Sequence, residues 1–84
     1  MEELIVLCRE VNVNTGKVVV YEIESEVTDN TLFCLQLRSR FNPELKYFVL
    51  RKNDYELSKD DIKKILSLKT YEKKIKIISG IMML

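Results

Sequence analysis

The side chains best suited to chemistry in this chain of 84 residues are few: three glutamates at two-residue spacing, Glu22, Glu24 and Glu26, and two cysteines, Cys8 and Cys34. On a strand that spacing sets the carboxylates on one face about 7 Å apart, an arrangement able to meet a metal ion. The same row also serves as a solvated or ion-paired sheet face. Each cysteine lies inside an apolar run, where burial raises a thiol's pKa and makes it a poor nucleophile. The pair lacks CxxC spacing, and there is no histidine, so neither a zinc set nor the commonest general base is present. Gly16 and Gly80 form no phosphate-cradling loop, and Asp60 with Asp61 reads as charge at a helix N-terminus. With no convergent acid, base and nucleophile, the expectation is a non-enzymatic protein that uses no cofactor and no metal.

Binding surfaces are more legible than catalysis. "TLFCLQLRSRF", residues 31–41, is apolar on every side and ends with Arg38 and Arg40; "LKYFVLRK", residues 45–52, interleaves aromatics with basic residues. If both segments are strands, Arg38, Arg40, Lys46, Phe48 and Leu50 share an outer sheet face, with Glu22 opposite Arg38. Arginine and aromatic residues are enriched where proteins meet, so this face is the candidate contact for a protein partner, together with Glu22, Glu24 and Glu26. The alternative is a small nucleic-acid binder in which Phe48 stacks a base and the cations hold phosphates. The lysine stripe Lys69, Lys73 and Lys76 adds little, because Glu72 lies four residues before Lys76 and can pair with it.

The elements that would position these groups follow from turns and periodicity. Residues 3–13 and 17–27 are rich in Val, Ile and Leu and flank "NTG", a hairpin loop in which Gly16 takes the left-handed conformation. Turns at "VTDNT" and "FNPEL" delimit two more strands, at about 31–41 and 45–52. Parity places Ile5, Leu7, Val19, Tyr21, Phe33, Leu35, Tyr47 and Val49 on a core face and leaves the other face mixed. Beyond it, Ser58 and Asp61 resemble a capping box, and Ile62, Ile65 and Leu66 form one stripe, giving a helix at about 59–68. A second helix is expected at about 70–82. The fold expected is therefore α+β: one domain over residues 1–84, a four-stranded antiparallel meander packed against one or two C-terminal helices.

Composition is that of a soluble globular domain, 46% apolar and 32% charged with a net charge of +1. Residues 1–30 sum to −5 and residues 58–84 to +4, a polarity that two ends of one fold or dimer can neutralise. No run is long enough to span a bilayer and the N-terminus carries glutamates, so no membrane association and a cytoplasmic location are expected. The last residues, Ile81, Met82, Met83 and Leu84, are apolar to the end. They either enter the core or close an interface with a second copy, and a homodimer through them is the expectation. In size and style the chain is similar to small accessory proteins of phages and mobile elements, including inhibitors of host defence such as anti-CRISPR proteins. That resemblance covers no specific motif and transfers no residues. It implies an inhibitor that occupies a host protein's working surface, with the glutamate row imitating phosphates.

Overall fold

A computed structural model describes residues 3–23, 26–68 and 82–83. In chain order these form β1 (Leu4–Val11), β2 (Val18–Glu22), α1 (Asp29–Phe41), β3 (Leu45–Arg51), α2 (Lys52–Leu66) and β4 (Met82–Met83). The architecture is α+β. Three antiparallel strands make the body of the sheet with β1 in the middle, and the two residues of β4 extend it beyond β3, in the order β2-β1-β3-β4.

The hairpin forms where the sequence places it, with a loop one residue longer. Asn12 closes it, its N–H donating to the Lys17 carbonyl at 2.8 Å while its side-chain oxygen accepts from the N–H groups of Asn14 and Thr15. Gly16 takes φ 73°, the only left-handed backbone position among the described residues. That extra loop residue shifts the register, so that Cys8 faces Tyr21 rather than Glu22. A one-residue slip turns every side chain of a strand over. Val19, Tyr21 and Ile23 therefore share a face with Val6 and Cys8, not with Ile5 and Leu7.

Both faces of the sheet are covered, which explains why the outer face looked neither wet nor dry from the sequence. Ile5, Leu7, Phe48 and Leu50 pack on one side against Tyr55, Ile62 and Leu66 of α2. Val6, Cys8, Leu45, Tyr47 and Val49 pack on the other against Leu35 and Leu32 of α1, with the partly buried Ile23 and Val27 beside them. Strands buried on two faces read as nearly continuous apolar runs, as "LIVLC" and "YFVL" do.

Residues 31–41 are thus a helix, not the third strand of a meander. Thr28 is its N-cap, accepting from the Thr31 N–H at 3.2 Å, and Asp29 lies in its positive first turn. Arg38 and Arg40 occupy the last turn, and the Asn42 side chain donates to the Arg38 carbonyl at 2.7 Å just before Pro43. The expected pairing of Arg38 with Glu22 across a sheet does not form, because Arg38 is on the helix. The later helix begins at Lys52 and leaves helical geometry at Ser58 (φ −133°, ψ 17°), the residue at which the sequence starts it. Of the second expected helix, only Met82 is described, and it belongs to a strand paired with Val49.

Candidate docking surface on the first helix

Helix α1 has two apolar sides. One, made by Leu32, Leu35 and Ser39 at i, i+3 and i+7, packs on the sheet. Ser39 fits there because its hydroxyl donates to the Leu45 carbonyl at 3.0 Å, tying the helix to β3. At 100° per residue, Phe33, Leu37 and Phe41 fall at i, i+4 and i+8 on the opposite side. They are 60%, 37% and 78% exposed. A strip of three large apolar side chains, one turn apart, therefore runs along the outside of the domain.

Its borders are basic. Arg38 lies about a quarter-turn to one side of the strip; Arg40 and Gln36 border the other. The latter side opens into a surface groove of about 350 Å³ lined by Gln36, Ser39, Arg40, Pro43 and Lys46. Arg40 and Lys46 thus line one groove, around the end of a helix instead of across a sheet face.

The remaining expected contact residues separate. Phe48 and Leu50 are core residues under α2, so neither belongs to a contact surface and Phe48 cannot stack a base. Glu22 ends β2, exposed, and Glu26 lies beyond it in the coil before α1; the row of carboxylates along one strand does not form. Glu24, Ile81 and Leu84 lie outside the described residues, as do Lys69, Lys73 and Lys76. Met82 and Met83 pair through their main chain with Val49 and Phe48.

Beneath α1, Cys8 sits on the central strand between Tyr21 and Tyr47 of its two neighbours. Burial pushes the Cys8 thiol up from its ordinary value, against hydrogen bonds from both tyrosines. Tyr21 is raised in turn by its bond to Cys8 and then by burial, and Tyr47 by burial and then by its nearness to Cys8. Three groups that resist ionisation thus meet where the core reaches the exposed Tyr21, and they supply no ready nucleophile. Cys34 is exposed on α1. Among the described residues no group of three His, Cys, Asp or Glu side chains could hold a metal ion, and no helix is long and apolar enough to cross a membrane.

Two features escaped the sequence reading. The outer strip was hidden because residues 33, 35, 37 and 41 fit a strand's alternation as well as a helix's turn; Thr28, Asp29 and Pro43 were the signals for the helix. The other is Arg9, buried on β1 with its Nε donating to the Leu66 carbonyl at 2.8 Å and an Nη to the Leu68 carbonyl at 3.4 Å. A lone arginine in an apolar run carries no sign of its role in the sequence. Comparison with known proteins finds no family model that matches the chain, and no curated protein or solved structure similar to it.

Proposed function

We propose that the chain is a non-enzymatic protein-binding module whose contact surface is the outer side of α1. The single observation behind this reading is the strip of Phe33, Leu37 and Phe41 on a helix whose other side already serves the core. Apolar side chains scattered singly over a surface need no explanation; three contiguous ones at helical spacing do. Arg38, Arg40 and Lys46 at the borders define the chemistry of the partner: an apolar ridge, such as the exposed side of an amphipathic helix, edged by acidic residues. Binding is stoichiometric, and its effect on the partner is to occupy the surface engaged. The nucleic-acid alternative loses its stacking residue with the burial of Phe48, and a net charge of +1 gives little counterion release on a polyanion.

The test is affinity capture from a lysate of the source cells, with nuclease, comparing the native chain with Phe33→Ser/Phe41→Ser and with Arg38→Glu/Arg40→Glu. A protein retained at near-equal stoichiometry by the native chain should be lost with the first variant, by 10-fold or more in affinity, since aromatic anchors carry about 2 kcal/mol or more. The second should weaken it in a salt-dependent manner. Unchanged circular dichroism keeps folding out of the comparison. A partner indifferent to both variants, or retention of nucleic acid alone, overturns the reading.

A further inference from the structure

The hydrogen-bond pattern of the hairpin determines what the outer edge of the sheet offers. The Ile23 N–H donates to the Val6 carbonyl at 2.9 Å, and the Asn12 N–H donates to the Lys17 carbonyl at 2.8 Å. Residues 17, 19, 21 and 23 therefore bond towards β1, and by the alternation of an antiparallel ladder Val18, Val20 and Glu22 point their N–H and C=O groups away from it. β2 is the terminal strand on that side, and among the described residues no strand lies across from it. Its sequence, VVVYE, has no lysine and no proline, its pairing with β1 runs without a bulge, and its one charge, Glu22, lies at the end of the strand. Val19 and Tyr21, which face the α1 side of the sheet, remain 46% and 40% exposed.

We propose that β2 pairs antiparallel with β2 of a second copy of this chain about a two-fold axis at Val20. The edge is self-complementary in that register and less so in its neighbours. With Val20 opposite Val20, Val18 lies opposite Glu22 and Glu22 opposite Val18, so all three outward residues of each copy exchange main-chain bonds. Within Val18–Glu22, an axis at Val19 or at Tyr21 leaves one outward residue of each copy unpaired. The Val20 register also sets each exposed Val19 against the exposed Tyr21 of the second copy, a β-branched residue on an aromatic, twice over. Both occur on the same side of a continuous sheet, because residues two apart share a face. The one charge of the segment, Glu22, is kept about 13 Å from its equivalent, since four residues separate them along the paired strands. Like charges at that distance are largely screened at physiological salt. A strand of a different protein has no reason to match the Val19 and Tyr21 positions in both directions at once; a second copy does so by symmetry. The contact involves neither the outer strip of α1 nor the C-terminal residues, so it stands or falls separately from the docking surface.

The interface is small, and the association is reversible, so the measurement is mass against concentration for the full chain by sedimentation equilibrium. The native chain should approach twice its monomer mass of 9.9 kDa as concentration rises. Val19→Lys/Tyr21→Lys sets like charges opposite each other and should be monomeric, whereas Val19→Lys/Tyr21→Glu restores opposite charges at both contacts and should dimerise. Because Tyr21 also bonds Cys8 and its replacement can disturb the fold, Val20→Cys in a Cys34→Ser background gives a second measure. Directly opposed residues in a ladder have Cα atoms about 5.5 Å apart, within disulfide reach, so mild oxidation should give a covalent dimer. A native chain that stays monomeric at all concentrations, or a dimer unaffected by the lysine pair and not cross-linked at position 20, overturns the proposal. So does a dimer lost only when residues 81–84 are removed.

Discussion

Arg9 is the residue whose replacement most directly tests how α2 is held on the sheet. It is 7% exposed, and its guanidinium reaches the last carbonyl of α2, Leu66 at 2.8 Å, and the Leu68 carbonyl just beyond the helix at 3.4 Å. Helix-terminal carbonyls lack partners within the helix, and a cation there also meets the negative end of the helix dipole. In Arg9→Met the stem's packing is kept while every donor is lost. A hydrogen bond from a charged donor contributes about 1.5–3 kcal/mol, and a cation at a partly buried helix C-terminus up to about 2 kcal/mol. Against these stands the desolvation of the guanidinium, which the methionine no longer requires. We expect a net loss of about 2 kcal/mol, and for a domain of this size a fall in Tm of roughly 8–16 °C.

The assay is urea unfolding followed by circular dichroism, paired with hydrogen exchange of the α2 amides. Arg9→Met should lower the midpoint with little change in slope and should speed exchange most in the last turn of α2, around Ile62 and Leu66. Arg9→Ala should cost more, because the alkyl stem also leaves the core. If Arg9→Met is within about 0.5 kcal/mol of the native chain, or more stable, desolvation cancels the bonds and the capping argument is refuted.

Three further outcomes follow from the packing. Leu35→Ala should destabilise by about 2–4 kcal/mol because Leu35 is the buried anchor of α1, whereas Phe41→Ala, on the outer side, should stay within about 0.5 kcal/mol; equal effects in urea unfolding would place the outer strip in the core. A thiol reagent should label one cysteine rapidly in the folded chain, Cys34, and the second, Cys8, only on unfolding; two fast equivalents would contradict the burial of Cys8. Stability should fall above pH 9: an unfolded Cys8 thiol loses its proton there while the folded one keeps it, so the native state binds more protons and stability drops as pH rises through the folded value. Tyr21 and Tyr47, also raised from an ordinary value of 10.0, extend the fall. Cys8→Ala should delay its onset to nearer pH 10, as read by thermal melts across that range.

The parts of the fold fixed by local chemistry were legible, and those fixed by what packs on what were not. Asn14 and Gly16 announce the hairpin, Pro43 announces an end, and Ile62 with Leu66 announces a helix, because turns, breaks and periodicity are short-range. Residues 31–41 were misread for a physical reason. Alternation over 33, 35 and 37 is what a half-buried strand shows, yet a helix with apolar residues on two opposite sides produces it as well. Thr28 and Asp29 resolve the ambiguity only if they are read as a cap instead of a turn, since the same short polar side chains serve both. From that one error followed the sheet order and the assignment of Phe48 and Leu50 to a surface. Of the candidate contacts, Arg40 and Lys46 line one groove at the end of α1, whereas Arg38, in the same last turn, lies on the other side of the outer strip.

The composition of α1 sets stability against function. Its buried side is narrow, Leu32, Leu35 and a serine, while its bulkiest residues, Phe33 and Phe41, face away from the sheet. Polar residues at 33, 37 and 41 would leave the core intact, improve solubility and satisfy helix propensity at least as well. A helix that serves only to cover a sheet has no use for phenylalanine on its far side, which is the ground for the docking surface proposed above. If β2 pairs with its equivalent in a second copy, the two α1 helices come to the same side of one continuous sheet. Two strips then face one direction, and a partner offering two matching ridges gains from the second contact as an intramolecular event, whereas a partner offering one does not. Binding that strengthens with dimerisation would link the two surfaces; binding indifferent to it would show that each acts alone.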